Sequence, residues 1–239
     1  MRTHDPDHSR RALHDLPVVV TGTASGLGAA VAARLLAEGA KVTGLDRRPS
    51  PDGVPTVEVD LADGRAAERA VVEVAADAGR LYAVVTCAGV DVPGGLGDVP
   101  AEVWERTVAV NLLGTAAVVR AALPFLRASR GRVVTVASTL GHRAVGDATA
   151  YCASKFGVVG FTRALTAELR GEIGVTMLTP GGMATAFFDA RDDRYKPPPD
   201  LLLCDPAQVA EAVVFALTRP PGVEVRELVV TPPDESSWP

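Results

Sequence analysis

Seven short apolar runs punctuate the chain, and longer stretches with helical spacing fill the gaps between them. The runs are PVVVT (17–21), KVTGLD (41–46), TVEVD (56–60), LYAVVT (81–86), GRVVTVAS (131–138), GVTMLTP (174–180) and RELVVT (226–231). They are rich in β-branched residues and nearly continuous rather than alternating, which predicts strands buried on both faces of a parallel sheet. Helices are predicted from the glycines before residue 28 to the stop at Gly39, over 65–79, over about 101–126, over 151–169, and from the Asp205-Pro206 cap to about 218. Strand–helix alternation of this kind predicts an α/β fold, a doubly wound parallel sheet between two helical layers, hence three-layer α/β/α. No repeat or linker divides the chain, so a single domain is expected over 16–239, preceded by a polar tail at 1–15. The one long irregular stretch, 183–205, contains KPPPD and reads as a substrate loop.

Composition narrows the function classes. The 239 residues are 47% hydrophobic and 22% charged, enough to bury a sizeable core. A net charge of −5 and scattered arginines argue against nucleic-acid or anionic-membrane surfaces, which want a clustered basic face. Cys87, Cys152 and Cys204 lie far apart without CxxC or zinc spacing, so reduced thiols and no metal site are expected. His4, His8 and His14 read as tail histidines. No stretch is judged apolar for long enough to span a bilayer. AVNLLGTAAVVRAALPFL comes nearest, interrupted by Asn111, Arg120 and Pro124. The N-terminal stretch has no apolar core of the signal-peptide kind, so a cytoplasmic location is expected.

VTGTASGLG (20–28) follows the first run and opens the first helix. Gly22, Gly26 and Gly28 let the backbone turn tightly against a pyrophosphate, while free N–H groups at the helix start favour its charge. Asp46, 18 residues after Gly28, ends the second run, where an adenosine ribose would lie. Its carboxylate suits the two ribose hydroxyls and repels a 2′-phosphate, which favours NAD. Arg47 and Arg48 follow at once and keep NADP open.

YCASK (151–155) carries the second piece of chemistry. Tyr151 and Lys155 share a helix face at i and i+4. A free phenol titrates near pH ~10, too high for a base at neutral pH. A cation about 4 Å away in a partly shielded site contributes roughly 4 kcal/mol, about three pKa units, which would bring the phenol near neutrality. Ser138 ends the fifth run, at the sheet edge where open α/β folds bind ligands, and can donate to a substrate oxygen.

From about Leu16 to the C-terminus the chain resembles the short-chain dehydrogenase/reductase family, which has a Rossmann fold. The matching pieces run in family order: Thr21-Gly22-x-x-x-Gly26-x-Gly28, Asp60, CAG (87–89), Asn111, Ser138, Tyr151 with Lys155, and Pro180-Gly181 with Thr185. The resemblance implies an NAD(P)-dependent oxidoreductase acting on secondary alcohols or ketones. It implies that Tyr151 is the general acid/base, that Lys155 lowers its pKa and binds the nicotinamide ribose, and that Ser138 polarises the carbonyl. Asn111 would hold a water in a proton relay. Ser25, Leu27, Ala88 and Gly89 would line the cofactor, Asp60 and Leu61 would contact adenine, and Pro180, Gly181 and Thr185 would hold the carboxamide. One departure is plain: TCAG (86–89) stands where the family has Asn-Asn-Ala-Gly.

Substrate-pocket candidates are Val90, Leu140, His142, Phe187, Phe188 and Tyr195. The competing readings are an NADPH-dependent 3-oxoacyl thioester reductase, an epimerase or dehydratase that recycles its cofactor, and a non-catalytic dinucleotide-binding sensor. A homo-oligomer, tetramer or dimer, is expected through the helix at 151–170 and the helix around Asn111. Trp238 is expected to dock on a neighbouring subunit.

Overall fold

The structure, a computed structural model, describes residues 13–238. Seven parallel strands form one sheet in the order β3-β2-β1-β4-β5-β6-β7. They are β1 (Pro17–Thr21), β2 (Lys41–Asp46), β3 (Thr56–Glu58), β4 (Ala83–Thr86), β5 (Arg132–Val136), β6 (Gly174–Pro180) and β7 (Glu227–Val230). The helices are α1 (Gly26–Ala37), α2 (Gly64–Ala78), α3 (Ala101–Val108), α4 (Thr115–Ser129), α5 (Thr149–Glu168) and α6 (Pro206–Leu217). This is the three-layer, Rossmann-type α/β fold expected.

The alternation of side chains across each strand divides the core in two. Val18 and Val20 face the layer of α1 and α6, with Leu27, Val31, Leu35, Val213 and Leu217. Val19, Val84 and Val133 face the layer of α2, α4 and α5, with Val71, Val118, Leu126 and Leu165. Leu13 is fully buried in the first of these cores, so the stretch expected to be tail contributes to the core. His4 and His8 lie outside the described residues.

Two elements differ from expectation. α3 and α4 are joined without a break by a π-helical segment, Ala109–Gly114. The resulting helix, Ala101–Ser129, is long and apolar enough by composition to cross a membrane, contrary to the sequence reading. Here it is a core helix: Ala117, Val118, Val119, Ala122 and Leu126 are buried against the sheet and α2. β3 is the second case, and it stops at Glu58 because β2, its only partner, ends at Asp46.

Strand order reverses between β1 and β4, since β2 and β3 lie to one side and β5 to β7 to the other. Loops diverge at such a switch point and leave a crevice beyond the strand C-termini. Most of the residues singled out from the sequence gather there; Asn111 and His142 do not.

Candidate active site

The crevice is a cavity of about 1000 Å³. One end is the turn after β1. Thr21 Oγ1 accepts the Ala88 N–H at 3.0 Å and so ties the ends of β1 and β4 together. Gly22 has φ +76°, and a Cβ there would stand 2.8 Å from the Ala88 Cα. At Gly28 an added Cβ would meet the Gly22 carbonyl oxygen at 2.1 Å, so the helix start packs under the turn only as glycine. Ser25, the N-cap of α1, makes no side-chain capping bond, which leaves the first-turn N–H groups free for an anion. Gly22, Ser25, Gly26, Leu27 and Gly28 all line the cavity.

Asp46, Arg47, Asp60 and Leu61 line the same end. Asp46 is held by two backbone donors: Ala24 N–H to Oδ2 at 3.0 Å and Arg48 N–H to Oδ1 at 3.1 Å. Asp60 pairs with Arg106, Nη2 to Oδ2 at 2.8 Å, and accepts from Ala62 N–H at 3.0 Å. These contacts hold its carboxyl below the ordinary value against the opposing effect of burial. Ala88, Gly89, Pro180, Gly181 and Thr185 complete the cofactor-side wall. A glycine turn, a free helix start and a fixed carboxylate on one elongated cavity fit a dinucleotide.

The other end holds Ser138, Tyr151 and Lys155. Ser138 Oγ accepts from Leu140 N–H at 3.2 Å, which leaves its own proton available to donate. Lys155 is 4% exposed and its Nζ donates to the Val136 carbonyl at 2.9 Å. The ammonium lies 5.7 Å from the Tyr151 ring centroid. Burial pushes Tyr151 up to about 12, outweighing the hydrogen bond from Ser138 that pulls it down. Burial likewise draws Lys155 down to about 8. Burial thus works against the expected descent of the phenol, and the Lys155 ammonium points to the β5 carbonyl.

Asn111 does not line the cavity; it is buried behind it, in the π-helical turn. Its amide accepts from Val90 N–H at 2.8 Å and donates to the Val90 carbonyl at 2.9 Å and to Ser154 Oγ at 3.0 Å. Asn111 thus fixes the loop after β4 against α5. A Cβ on Gly89 would lie 3.6 Å from its Oδ1 and 3.8 Å from Lys155 Nζ, so little space separates the three. Where Thr86 and Cys87 replace the family asparagines, Thr86 Oγ1 is buried without a hydrogen-bond partner. Burial pushes the Cys87 thiol up to about 12, a direction that disfavours the thiolate. Among the described residues no group of His, Cys, Asp and Glu is arranged to hold a metal ion.

Leu140, Phe187, Phe188, Val90 and Tyr195, the residues expected to meet substrate, line the cavity. His142 does not. Its ring lies edge-on to Trp238 at 5.1 Å and its Nε2 is 3.3 Å from Thr179 Oγ1, outside the cavity. Trp238, expected to dock on a neighbouring subunit, therefore docks on its own chain.

An ion pair between Asp91 and Arg191 has no signal in the local sequence pattern. Arg191 Nη2 donates to Asp91 Oδ2 at 2.7 Å, with the two side chains 14% and 5% exposed. The guanidinium stacks on Phe187 and Phe188 at 5.0 and 4.6 Å. Phe187 in turn lies 6.0 Å from the Tyr151 ring, so this pair latches the 183–205 loop onto the reacting end.

Comparison with known proteins converges on the same assignment. The family model described as short chain dehydrogenase matches residues 17–196. An uncharacterized oxidoreductase of Staphylococcus aureus (strain MW2) is 34% identical over 232 residues, covering 92% of this chain and 98% of that protein. A metagenomic short-chain oxidoreductase solved in complex with NADP superposes with a TM-score of 0.78 at 27% identity, over 92% of this chain and 98% of the other. The aldohexose dehydrogenase of Thermoplasma acidophilum shares the fold, with a TM-score of 0.84 at 23% identity over 92% and 94% of the two chains.

Proposed function

The chain belongs to the short-chain dehydrogenase/reductase family and is an oxidoreductase of that family; from that premise we propose that it transfers a hydride between a nicotinamide cofactor and a secondary alcohol or ketone, with Tyr151 as general acid/base. The observation that carries this is the convergence of Ser138, Tyr151 and Lys155 on one end of the cavity whose other end is the glycine turn.

The bound nicotinamide supplies or accepts the hydride. Ser138, free to donate, fixes the carbonyl oxygen of the substrate. Tyr151, protonated because burial holds its pKa at about 12, delivers its proton to that oxygen in reduction and recovers it in oxidation. Lys155 keeps most of its charge at neutral pH, since its pKa falls only to about 8. That charge stabilises the phenolate left behind when the proton has moved, and its remaining N–H groups are available to the ribose. Asn111 holds the β4 loop in register with α5; a water relay through it belongs to the same proposal.

For the coenzyme we infer NAD, because Asp46 is held at the ribose end by two backbone donors. Arg47 and Arg48, on the same wall, favour the second reading of an NADPH-dependent reductase, 3-oxoacyl thioesters included. A cytoplasmic homo-oligomer completes the proposal: Leu113 and Phe156 are large apolar side chains left 58% and 44% exposed, on the segments expected at an interface.

The test is a panel of ketones and secondary alcohols assayed with both coenzymes, read as the absorbance of the reduced nicotinamide. Stoichiometric change with at least one substrate is expected. Cofactor binding with no net absorbance change across the panel would favour a sensor or an epimerase instead.

A further inference from the structure

The C-terminal segment after β7 turns back across the cavity and adds Glu235, Ser236 and Ser237 to its lining. Several contacts seat it. Thr139 Oγ1, next to Ser138, lies 2.7 Å from Ser237 Oγ and donates to it, since the serine proton goes to Glu235. Arg143 Nη1 donates to the Ser236 carbonyl at 2.6 Å. Trp238 closes on His142.

Glu235 is the chemical feature of this wall. Its Oε2 accepts from Gly182 N–H at 3.0 Å, and its Oε1 accepts from Ser237 N–H at 3.1 Å and Ser237 Oγ at 2.6 Å. A Cβ at Gly181 would come within 2.5 Å of Oε2, so glycine makes the room this carboxylate occupies. These three donors hold the carboxyl below its ordinary value despite partial burial. All three are neutral.

Lys155 apart, whose Nζ donates to the Val136 carbonyl, charged side chains on the substrate side have partners of opposite charge. Asp91 pairs with Arg191 at 2.7 Å, Lys196 with Asp193 at 2.8 Å, and Arg194 lies 3.8 Å from Asp192. Arg143, nearest the tail, spends its guanidinium on a carbonyl. Among the described residues Glu235 has no cationic partner. Three neutral donors use most of a carboxylate's roughly four acceptor sites, and the charge itself remains unbalanced. A partly shielded carboxylate of that kind recognises a cation.

We propose that Glu235 anchors a substrate cation, so that the alcohol or ketone turned over here carries a protonated amine. The inference rests on the hydride-transfer reading of the same cavity and deepens it. The aromatic wall of Phe187, Phe188 and Tyr195 suits the apolar remainder of such a molecule.

The test is calorimetric titration of the full chain, saturated with NAD, using phenylethanolamine (cationic at neutral pH) and phenylpropanol, its neutral isostere with methyl in place of the amine. The cationic alcohol is expected to bind at least about tenfold more tightly. Glu235→Gln should reduce that ratio to below about threefold, while Ser237→Ala, which loosens the same tail but keeps the charge, retains it. Equal affinities in the wild type, absence of binding, or a preference that survives Glu235→Gln overturns the proposal. Turnover of neutral alcohols alone would leave the hydride-transfer reading standing and sink only the cation anchor.

Discussion

Lys155→Met should stabilise the fold while abolishing its chemistry. Lys155 is 4% exposed and its pKa falls from 10.5 to about 8 by burial. Between those values the unfolded chain binds more protons than the folded one, so this residue makes stability rise with pH. Below about pH 8 the charged lysine costs the fold the full effect, about 3 kcal/mol, and the cost fades as pH approaches about 10.5. Methionine fills a similar volume without charge but forfeits the bond to the Val136 carbonyl, worth about 1 kcal/mol. The variant should therefore be more stable by about 2 kcal/mol at pH ~7, and the gap should shrink below about 1 kcal/mol by pH ~9.5. Urea unfolding followed by circular dichroism at both pH values measures it, and the paired difference cancels the titrations of groups remote from Lys155. A variant less stable than wild type by a pH-independent margin would refute the reasoning, because it would mean the ammonium is well compensated where it lies.

Other perturbations test other parts of the site. Asp46→Ala removes the carboxylate facing the ribose end and should move the ratio of kcat/KM values toward NADP by at least about tenfold; an unmoved ratio would place coenzyme choice elsewhere. Asp91→Ala leaves Arg191 buried without its counter-ion, a change that costs about 3–5 kcal/mol when such a pair is broken. The 183–205 loop should then become the preferred site of limited proteolysis and KM should rise, whereas an unchanged digestion pattern would contradict the latch.

β1, β2 and β6 were legible to the residue, because their apolar runs are bounded by proline, lysine, glycine or aspartate. The cofactor end was legible for a similar reason: its glycines answer to local backbone demands, at Gly22 and Gly28 in particular. Longer-range features were not. Asp91 and Arg191 stand 100 residues apart, and no local pattern announces that one will bury the other. The π-helical turn at Asn111 leaves the apolar periodicity of the helix intact, so only its hydrogen bonding reveals it. Spacing correctly put Tyr151 and Lys155 on one face, but not the direction of Nζ, which turns to Val136. Nor does spacing show how far the ring is desolvated, and burial raises the phenol where the lysine was expected to lower it. Trp238 was legible as a docked aromatic, yet its partner His142 depends on how the tail folds back.

The most direct measurement of the central claim is the turnover of Tyr151→Phe, with coenzyme affinity determined alongside. Phenylalanine keeps the ring against Phe187 and removes only the proton donor. Turnover should fall by at least about 100-fold with coenzyme binding nearly intact, as for loss of a general acid. A variant that turns over substrate at a rate near wild type would contradict the assignment of Tyr151, and with it the account of the site.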